Sequence, residues 1–436
     1  MHILLIFLPS IYISLHITLN FKRSQIKATK IEDYIYKMEN EKLVTEMSAG
    51  TPKQSLKFSL RNTNDQLYIV AKESEKYPYS MKGFDEKSSK TYDSEDEFGD
   101  SLKEEYDSGF FSSDNFEIVK DKRLFFYLVK NLSISSKIGE NDGNIGLSLN
   151  ETEMSSSYNV HFIKDLKTYN HTSKPVFTFN FTDINQGNII IGDFLENFDS
   201  RYTKKTYRQT KTIVVDNIQK WGFIGDEFYV GNIKLKDKVT FSVDFDRLFL
   251  TFPYHINYTL YTMFFKDYIS SNVCRIVSKY NNEFYYVCDK DKINIKKFPL
   301  VAIHLLDTKT KLNLTGEDLF FDYNDQVICG IAFRDIKFSE NIPVILGTIF
   351  LKKYMMIFDV DRKINGFYLG DDIPPTPPKP TPVTKNSPLL IISLVIVCIL
   401  ALAIAVFSFR YIYKLLGRRK RATELNDDYD YDAIKL

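Results

Sequence analysis

The residue types able to do chemistry are thinly spread along the 436-residue chain. Six histidines, His2, His16, His161, His171, His255 and His304, lack the i, i+4 or Cys-x-x-Cys spacing that would aim ring nitrogens and thiolates at one zinc ion. No metal site and no cofactor are expected. The cysteines are Cys274, Cys288, Cys329 and Cys398, and their spacing does not say which would pair. Asn131, Asn150, Asn170, Asn180, Asn257 and Asn313 each begin Asn-x-Ser/Thr, the acceptor pattern for N-linked glycans.

The elements that must position these residues are strands. Aromatics make up 15% of the chain (28 Tyr, 35 Phe), which favours extended structure, and hydrophobic residues reach 44% against 26% charged, enough to bury a core. An all-β fold is expected. Basic and acidic side chains nearly cancel, 57 against 56, so a nucleic-acid partner is excluded as an expectation.

Two apolar segments set a topology around that fold. Residues 1–21 contain the run from Ile3 to Phe21, followed by Lys22 and Arg23, and read as a secretory signal peptide. Residues 388–409 read as a transmembrane helix: Leu389 to Phe409 carries no charge, and about 20 apolar residues cross the hydrocarbon core. Arg410, Lys414 and Arg418 to Arg421 follow as a basic cluster, the cytoplasmic mark, so the chain reads as a single-pass type I membrane protein. Its ectodomain is expected outside the cell or in an endosomal or vacuolar lumen. All six glycan acceptors precede the span, as does a Pro-rich stalk over residues 371–387 whose polyproline II habit would hold the ectodomain off the bilayer. Cys274, Cys288 and Cys329 then face an oxidising compartment, and one disulfide is expected among them. In the cytoplasmic tail, residues 410–436, Tyr431-Asp-Ala-Ile434 has the tyrosine-x-x-bulky-apolar pattern that resembles sorting signals gripped by clathrin adaptors. The Lys- and Glu-rich stretch from Phe21 to Val44 reads either as a short pro-segment or as a first strand with its lead-in.

Between residues 45 and 370 short alternating or continuous apolar runs, among them Ser55 to Leu60, Phe125 to Val129, Phe177 to Phe181, Ile189 to Ile191 and Val239 to Val243, are separated by turn residues. Landmarks stand beside them. Gly50-Thr-Pro-Lys-Gln54, Phe84-Asp-Glu-Lys-Ser-Ser-Lys-Thr-Tyr92, Gly109-Phe-Phe-Ser-Ser-Asp114 and Asp142-Gly-Asn-Ile-Gly-Leu147 occur in the order found in the first lobe of pepsin-like aspartic peptidases. Val176 to Phe179, Gly187 to Gly192, Trp221, Leu250-Thr-Phe-Pro253, Ile345-Leu-Gly347, Phe358-Asp359 and Gly366-Phe367 resemble that family's later landmarks. The resemblance implies a bilobal double β-barrel ectodomain, with an amino-terminal lobe over residues 45–205 and a second over 206–370. Each lobe of the family supplies one Asp from an Asp-Thr-Gly turn, backed by a hydrophobic-hydrophobic-Gly segment.

Carried onto this chain, the resemblance puts Arg61-Asn-Thr-Asn64 where the first Asp-Thr-Gly-Ser belongs, with Leu67-Tyr68 following at the family's Leu-Trp. Asp244-Phe-Asp-Arg247 stands at the second turn, making Asp244 the surviving catalytic carboxylate and Arg61, Asn62, Asp244 and Phe245 the centre of the cleft. A register using Asp65 and Asp246 breaks the spacing to the flanking landmarks. The flap tyrosine of the family falls on Leu102, and Phe98-Gly-Asp-Ser101 matches only with an insertion. Arg61 and Asp244 are expected either to pair across the lobes or to lie apart in an open cleft. The same resemblance implies a Cys288–Cys329 disulfide with Cys274 free. The leading expectation is a catalytically silent binder of an extended peptide or protein; the other is an active membrane-anchored endopeptidase with a non-standard dyad.

Overall fold

The computed structural model describes residues 15–369 apart from 24–27, 63, 76–81, 100–105, 133–140, 150–160, 198, 200–201, 204–205, 214–220, 280–282, 306–307 and 335–342. The expected span, stalk and tail with Tyr431 and Ile434, and also Leu102 and Asn150, lie outside these residues. Among the described residues no helix is long and apolar enough to cross a membrane.

The first half of the chain runs β1 (Ile17–Arg23), α1 (Ile31–Asn40), β2 (Leu43–Ala49), β3 (Gln54–Arg61), β4 (Leu67–Glu75), β5 (Asp93–Gly99), β6 (Tyr106–Phe116), β7 (Lys122–Leu132), β8 (Gly143–Gly146), α2 (Phe162–Thr168), β9 (Val176–Asp183) and β10 (Gln186–Ile191). The second runs β11 (Tyr207–Lys211), β12 (Gly222–Val230), β13 (Ile233–Val243), β14 (Leu250–Pro253), α3 (Tyr254–Leu260), β15 (Cys274–Lys279), β16 (Glu283–Asp289), β17 (Val301–Leu305), β18 (Thr310–Leu314), β19 (Phe320–Tyr323), β20 (Gln326–Cys329), β21 (Ile331–Arg334), β22 (Val344–Leu346), β23 (Met355–Asp359) and β24 (Ile364–Tyr368). These strands form two sheets, one of 13 strands in the order β11-β24-β23-β9-β10-β1-β2-β3-β8-β4-β7-β6-β5 and one of 11, β18-β17-β12-β13-β22-β14-β21-β16-β20-β19 with β15 added on β16. The all-β expectation holds.

Alternation marks strands covered on one face and continuous apolar runs those covered on both. β1 alternates strictly, turning Ile17, Leu19 and Phe21 inward and the residues between them to solvent. β9, between β10 and β23, buries six consecutive residues from Val176 to Phe181, as a strand covered on both faces must. β1 pairs with β10 along its length and with β2 at its end, so the run expected as a leader up to residue 21 ends inside a sheet strand. Three strands of the second half, β11, β23 and β24, pair into the first sheet. Trp221 seals the join: its indole N–H donates to the carbonyl of Leu147 at 2.7 Å, and its ring meets Phe177 and Phe358 at 5.7 and 5.0 Å.

A repeated unit lies in the two sheets. In the first, β8 is parallel to β3 and antiparallel to β4, which is parallel to β7. In the second, β22 is parallel to β13 and antiparallel to β14, which is parallel to β21. The order β3-β8-β4-β7 thus recurs as β13-β22-β14-β21 with every direction kept, which is the duplication expected of the two halves.

Two expectations are corrected. Cys274, not Cys329, is the partner of Cys288, and Cys329 is a buried free thiol. The reason is register: β15 and β16 form a hairpin that sets Cys274 directly opposite Cys288. Asn180 and Asn257 are only 6% and 8% exposed, and Asn257 Oδ1 accepts a hydrogen bond from the Tyr286 hydroxyl at 2.7 Å, so neither side chain can carry a glycan in the folded chain. Asn170 is exposed in a left-handed turn, while Asn131 and Asn313 are half-buried.

Candidate functional site

Parallel pairing at the ends of β3 and β13 fixes which residues correspond. Arg61 stands opposite Gly146, the last residue of β8. In the second unit Val243 stands opposite Leu346, so the next residues in register are Asp244 and Gly347, and Asp244 N–H donates to the Leu346 carbonyl at 2.9 Å. Arg61 and Asp244 therefore hold equivalent places in the two lobes.

Both supporting glycines are demanded by the same close approach. A Cβ on Gly146 would lie 2.2 Å from Asn64 Oδ1 and 2.3 Å from Gln66 N, and one on Gly347 2.4 and 2.5 Å from the carbonyls of Phe249 and Leu248. Each glycine lets the turn after the paired strand fold back over it, so the turns sit at the top of their sheets facing the other lobe.

The two turns meet through charge. Arg61 is 2% exposed, and its Nε lies 3.8 Å from Oδ2 of Asp246, two residues beyond the partner expected for it. Asn62, fully buried, clasps the second lobe twice: its side-chain amide donates to the Val243 carbonyl at 2.6 Å, and its backbone N–H to Asp246 Oδ2 at 3.4 Å. Asp244 is 6% exposed and turns Oδ1 back to accept the Asp246 N–H at 3.0 Å. Phe245 is buried between the lobes, its ring 4.9 Å from that of Phe179.

Further cations close on the same point. Lys42 Nζ, on the lead-in to β2, lies 3.9 Å from Asp246 Oδ1. Arg23, the inward-facing end of β1, donates to the Met38 carbonyl at 2.8 Å and to Thr348 Oγ1 at 3.3 Å. Burial lowers the Arg23 guanidinium to about 10 against the opposing fields of Glu41, Asp246 and Glu39. On the other side, Arg247 donates to Glu283 Oε1 at 3.1 Å, and Arg334 Nε does so at 2.9 Å. Burial works to raise the Glu283 carboxyl, but Arg247 and Arg334 together hold it below the usual carboxylate value.

Sequence reasoning placed Arg61, Asn62, Asp244 and Phe245 in one locality, and the fold brings all four to the junction of the lobes. It missed Asp246 as the Arg61 counter-charge, and with it Lys42, Arg23 and the Glu283 cluster. A signal was present: Arg61 and Asp246 are opposite charges in the two turns, each where the resemblance expects a different residue. The flap strands β5 and β6 pair as a hairpin, with Phe98 opposite Gly109, and its tip lies outside the described residues.

Chemically, this junction is an ion-paired lock. A carboxyl pair that shares a proton across the lobes would need an acid at both equivalent places, and here one place holds a guanidinium. Among the described residues no group of three or more His, Cys, Asp or Glu could hold a metal ion.

A family model described as "Asp: Eukaryotic aspartyl protease" matches residues 42–368. No curated protein matches the chain.

Proposed function

We propose, from the premise that this chain belongs to the eukaryotic aspartyl protease family, that it is a catalytically silent member which binds a peptide or protein ligand in its interlobe cleft. One observation carries the reading: Arg61 occupies the place equivalent to Asp244 and is buried against Asp246. The family's chemistry divides labour between a carboxylate that takes a proton from water and a carboxylic acid that gives one to the substrate. A guanidinium is always protonated and does neither. Binding needs no such pair, since an extended peptide gains affinity by backbone pairing with strand edges.

The apolar run from Leu389 to Phe409, with its basic flank, supports anchoring of this domain by one carboxyl-terminal helix. The acceptor sequences other than the buried Asn180 and Asn257 support a lumenal or extracellular ectodomain, with Asn170 the best presented of those described. Tyr431 and Ile434 would then meet a clathrin adaptor in the cytosol and hold the protein in internal compartments.

The test is proteolysis of a mixed peptide library by the purified full-length chain in detergent, from pH 3 to 7, beside Asp244→Asn. Turnover no greater than that of the variant is expected. Cleavage abolished by Asp244→Asn would replace this reading with an active endopeptidase whose dyad is non-standard.

A further inference from the structure

Among the described residues, β1 alone joins β10 to β2 in the first sheet, pairing with β10 from Ile17 to Lys22 and with β2 from Phe21 to Arg23. Its inward residues Ile17, Leu19, Phe21 and Arg23 are no more than 6% exposed. The rest of the fold is fitted to them. Phe21 meets the rings of Phe179 and Phe181 edge-on at 5.7 and 5.0 Å. A Cβ on Gly187, the residue opposite Phe21, would lie 2.3 Å from the Asn180 carbonyl and 2.8 Å from the end of the Phe21 ring, so glycine there leaves the ring its place. Just upstream, Leu15 is clasped twice by Ser173: Leu15 N–H donates to Ser173 Oγ and Ser173 N–H to the Leu15 carbonyl, each at 2.9 Å. Leu15 is 40% exposed, so here the chain reaches the surface.

A leader ending at residue 21 would take Ile17 to Phe21 away with it. β10 and β2 would keep unpaired edges in the middle of a sheet, and the Phe179 and Phe181 rings would lose their cover. What lies upstream suffices for a leader. Ile3 to Ile13 is an apolar run of 11 residues, within the span of about 7–15 that a leader's apolar segment needs. Ser10 within it and Ser14 just after it are small residues, the type found at the bond that leader peptidases cut.

We propose that the leader is cut after Ser10 or Ser14, and that β1 stays in the mature protein as a strand of its first sheet. Water adds across the bond, leaving a carboxylate on the serine and an amine on the residue that follows. After a cut at Ser14, the new Leu15 amine offers Ser173 Oγ the donor that its amide N–H supplied. The inference rests on the reading of an exported ectodomain. Its consequence reaches the lobe junction, because Arg23 is retained as donor to the Met38 carbonyl and Thr348 Oγ1, and the charged cluster is that of the mature chain. Burial of Arg23, at 4% exposure, also shields the Lys22-Arg23 pair from proteases that cut after paired basic residues.

The test expresses the full-length chain with its own leader and a carboxyl-terminal tag in insect cells, isolates it in detergent, and reads the first residue by Edman degradation and by the mass of the terminal peptide. Ile11 or Leu15 is expected, and any other amino terminus overturns the assignment, a start at Lys22 or Ser24 most directly. Met1 retained on a chain whose mass falls on N-glycosidase treatment overturns the cut and leaves export standing; Met1 on a chain whose mass does not fall takes the export reading down with it. A second measurement joins a foreign leader at Leu15 or at Lys22. The chain begun at Leu15 should melt with the native one, and the chain begun at Lys22 should fail to leave the cell or melt at a lower temperature. Equal yield and equal midpoint for the two would overturn the retention of β1.

Discussion

The turn after β3 and the turn after β13 grow from the same strand pairing, each folding back over a glycine, yet they carry opposite charges. The first presents Arg61 and Asn62; the second presents Asp244, Phe245, Asp246 and Arg247. The first reaches out, with the guanidinium and the amide of its two residues directed at the second lobe. The second mostly receives, through the Asp246 carboxylate and the Val243 carbonyl. A duplicated scaffold thus preserves where side chains are delivered and leaves open what they do on arrival. Here, delivery of a cation and an anion to one point produces a fastening between lobes.

The backing of the two turns differs as well. Behind the first, α2 is tied to the turn by Phe162 N–H donating to the Asp65 carbonyl at 2.8 Å. Asp165 on α2 is pushed up to about 7, first by burial and then by the Asp65 charge, against the relief offered by Lys164. Behind the second, Glu283 is held low by two arginines. One lobe therefore favours a protonated carboxyl and the other an ionised one.

The largest expected effect comes from cutting the fastening. Asp246→Ala leaves Arg61 buried without this counter-charge and should cost on the order of 3 kcal/mol, read as a lower thermal midpoint of the whole chain. Arg61→Ala should cost a similar amount, and the double variant much less than the two singles together. Additive losses would show that the two turns are not coupled.

The pH dependence of the midpoint comes next and separates the lobes by sign. Asp165 binds a proton more tightly folded than unfolded, so its contribution is full below its ordinary value near 4 and is lost as pH rises to about 7. Partial exposure limits that loss to about 1–2 kcal/mol. Glu283 acts oppositely: its contribution is present above the ordinary glutamate value and fades as pH falls through the lowered one. Thermal melts from pH 3 to 8 should therefore flatten on the neutral limb in Asp165→Asn and on the acid limb in Glu283→Gln. A neutral limb of unchanged slope in Asp165→Asn would remove α2 from the account.

Asn62→Ala should cost about 1 kcal/mol, because the Val243 carbonyl loses a neutral donor inside the protein. Its midpoint should fall less than that of Asp246→Ala, and a larger fall would make the amide, not the ion pair, the main tie. The smallest expected effect is in turnover. Arg61→Asp restores an acid at the first turn but leaves Phe245, Asp246 and Arg247 in the second, and peptide cleavage should stay at background. Measurable turnover by this variant would show that one residue alone separates this cleft from an active one.

Much of this was legible in the chain itself. The apolar run from Phe177 to Phe181 is a local property that marks a strand covered on both faces, whereas Ile17 to Phe21, read as the end of a leader, shows itself as an alternating strand only once it is paired in the sheet. The family landmarks, spaced by strands and turns of near-constant length, put Arg61 and Asp244 at matching positions before any coordinate was needed. What the sequence could not decide was pairing between segments far apart in it. Cys288 has Cys274 on one edge and Cys329 diagonally on the other, and only the β15–β16 register awards it to Cys274. Arg61 faced two acids on one turn, and only the fold of that turn, with Asp244 accepting the Asp246 N–H, brings Asp246 Oδ2 to 3.8 Å from its Nε. Likewise β11, β23 and β24 join the first sheet although they belong to the second half of the chain. Side-chain pattern is written along the backbone, whereas partner choice depends on which strands lie side by side, and that is settled only when the whole core packs.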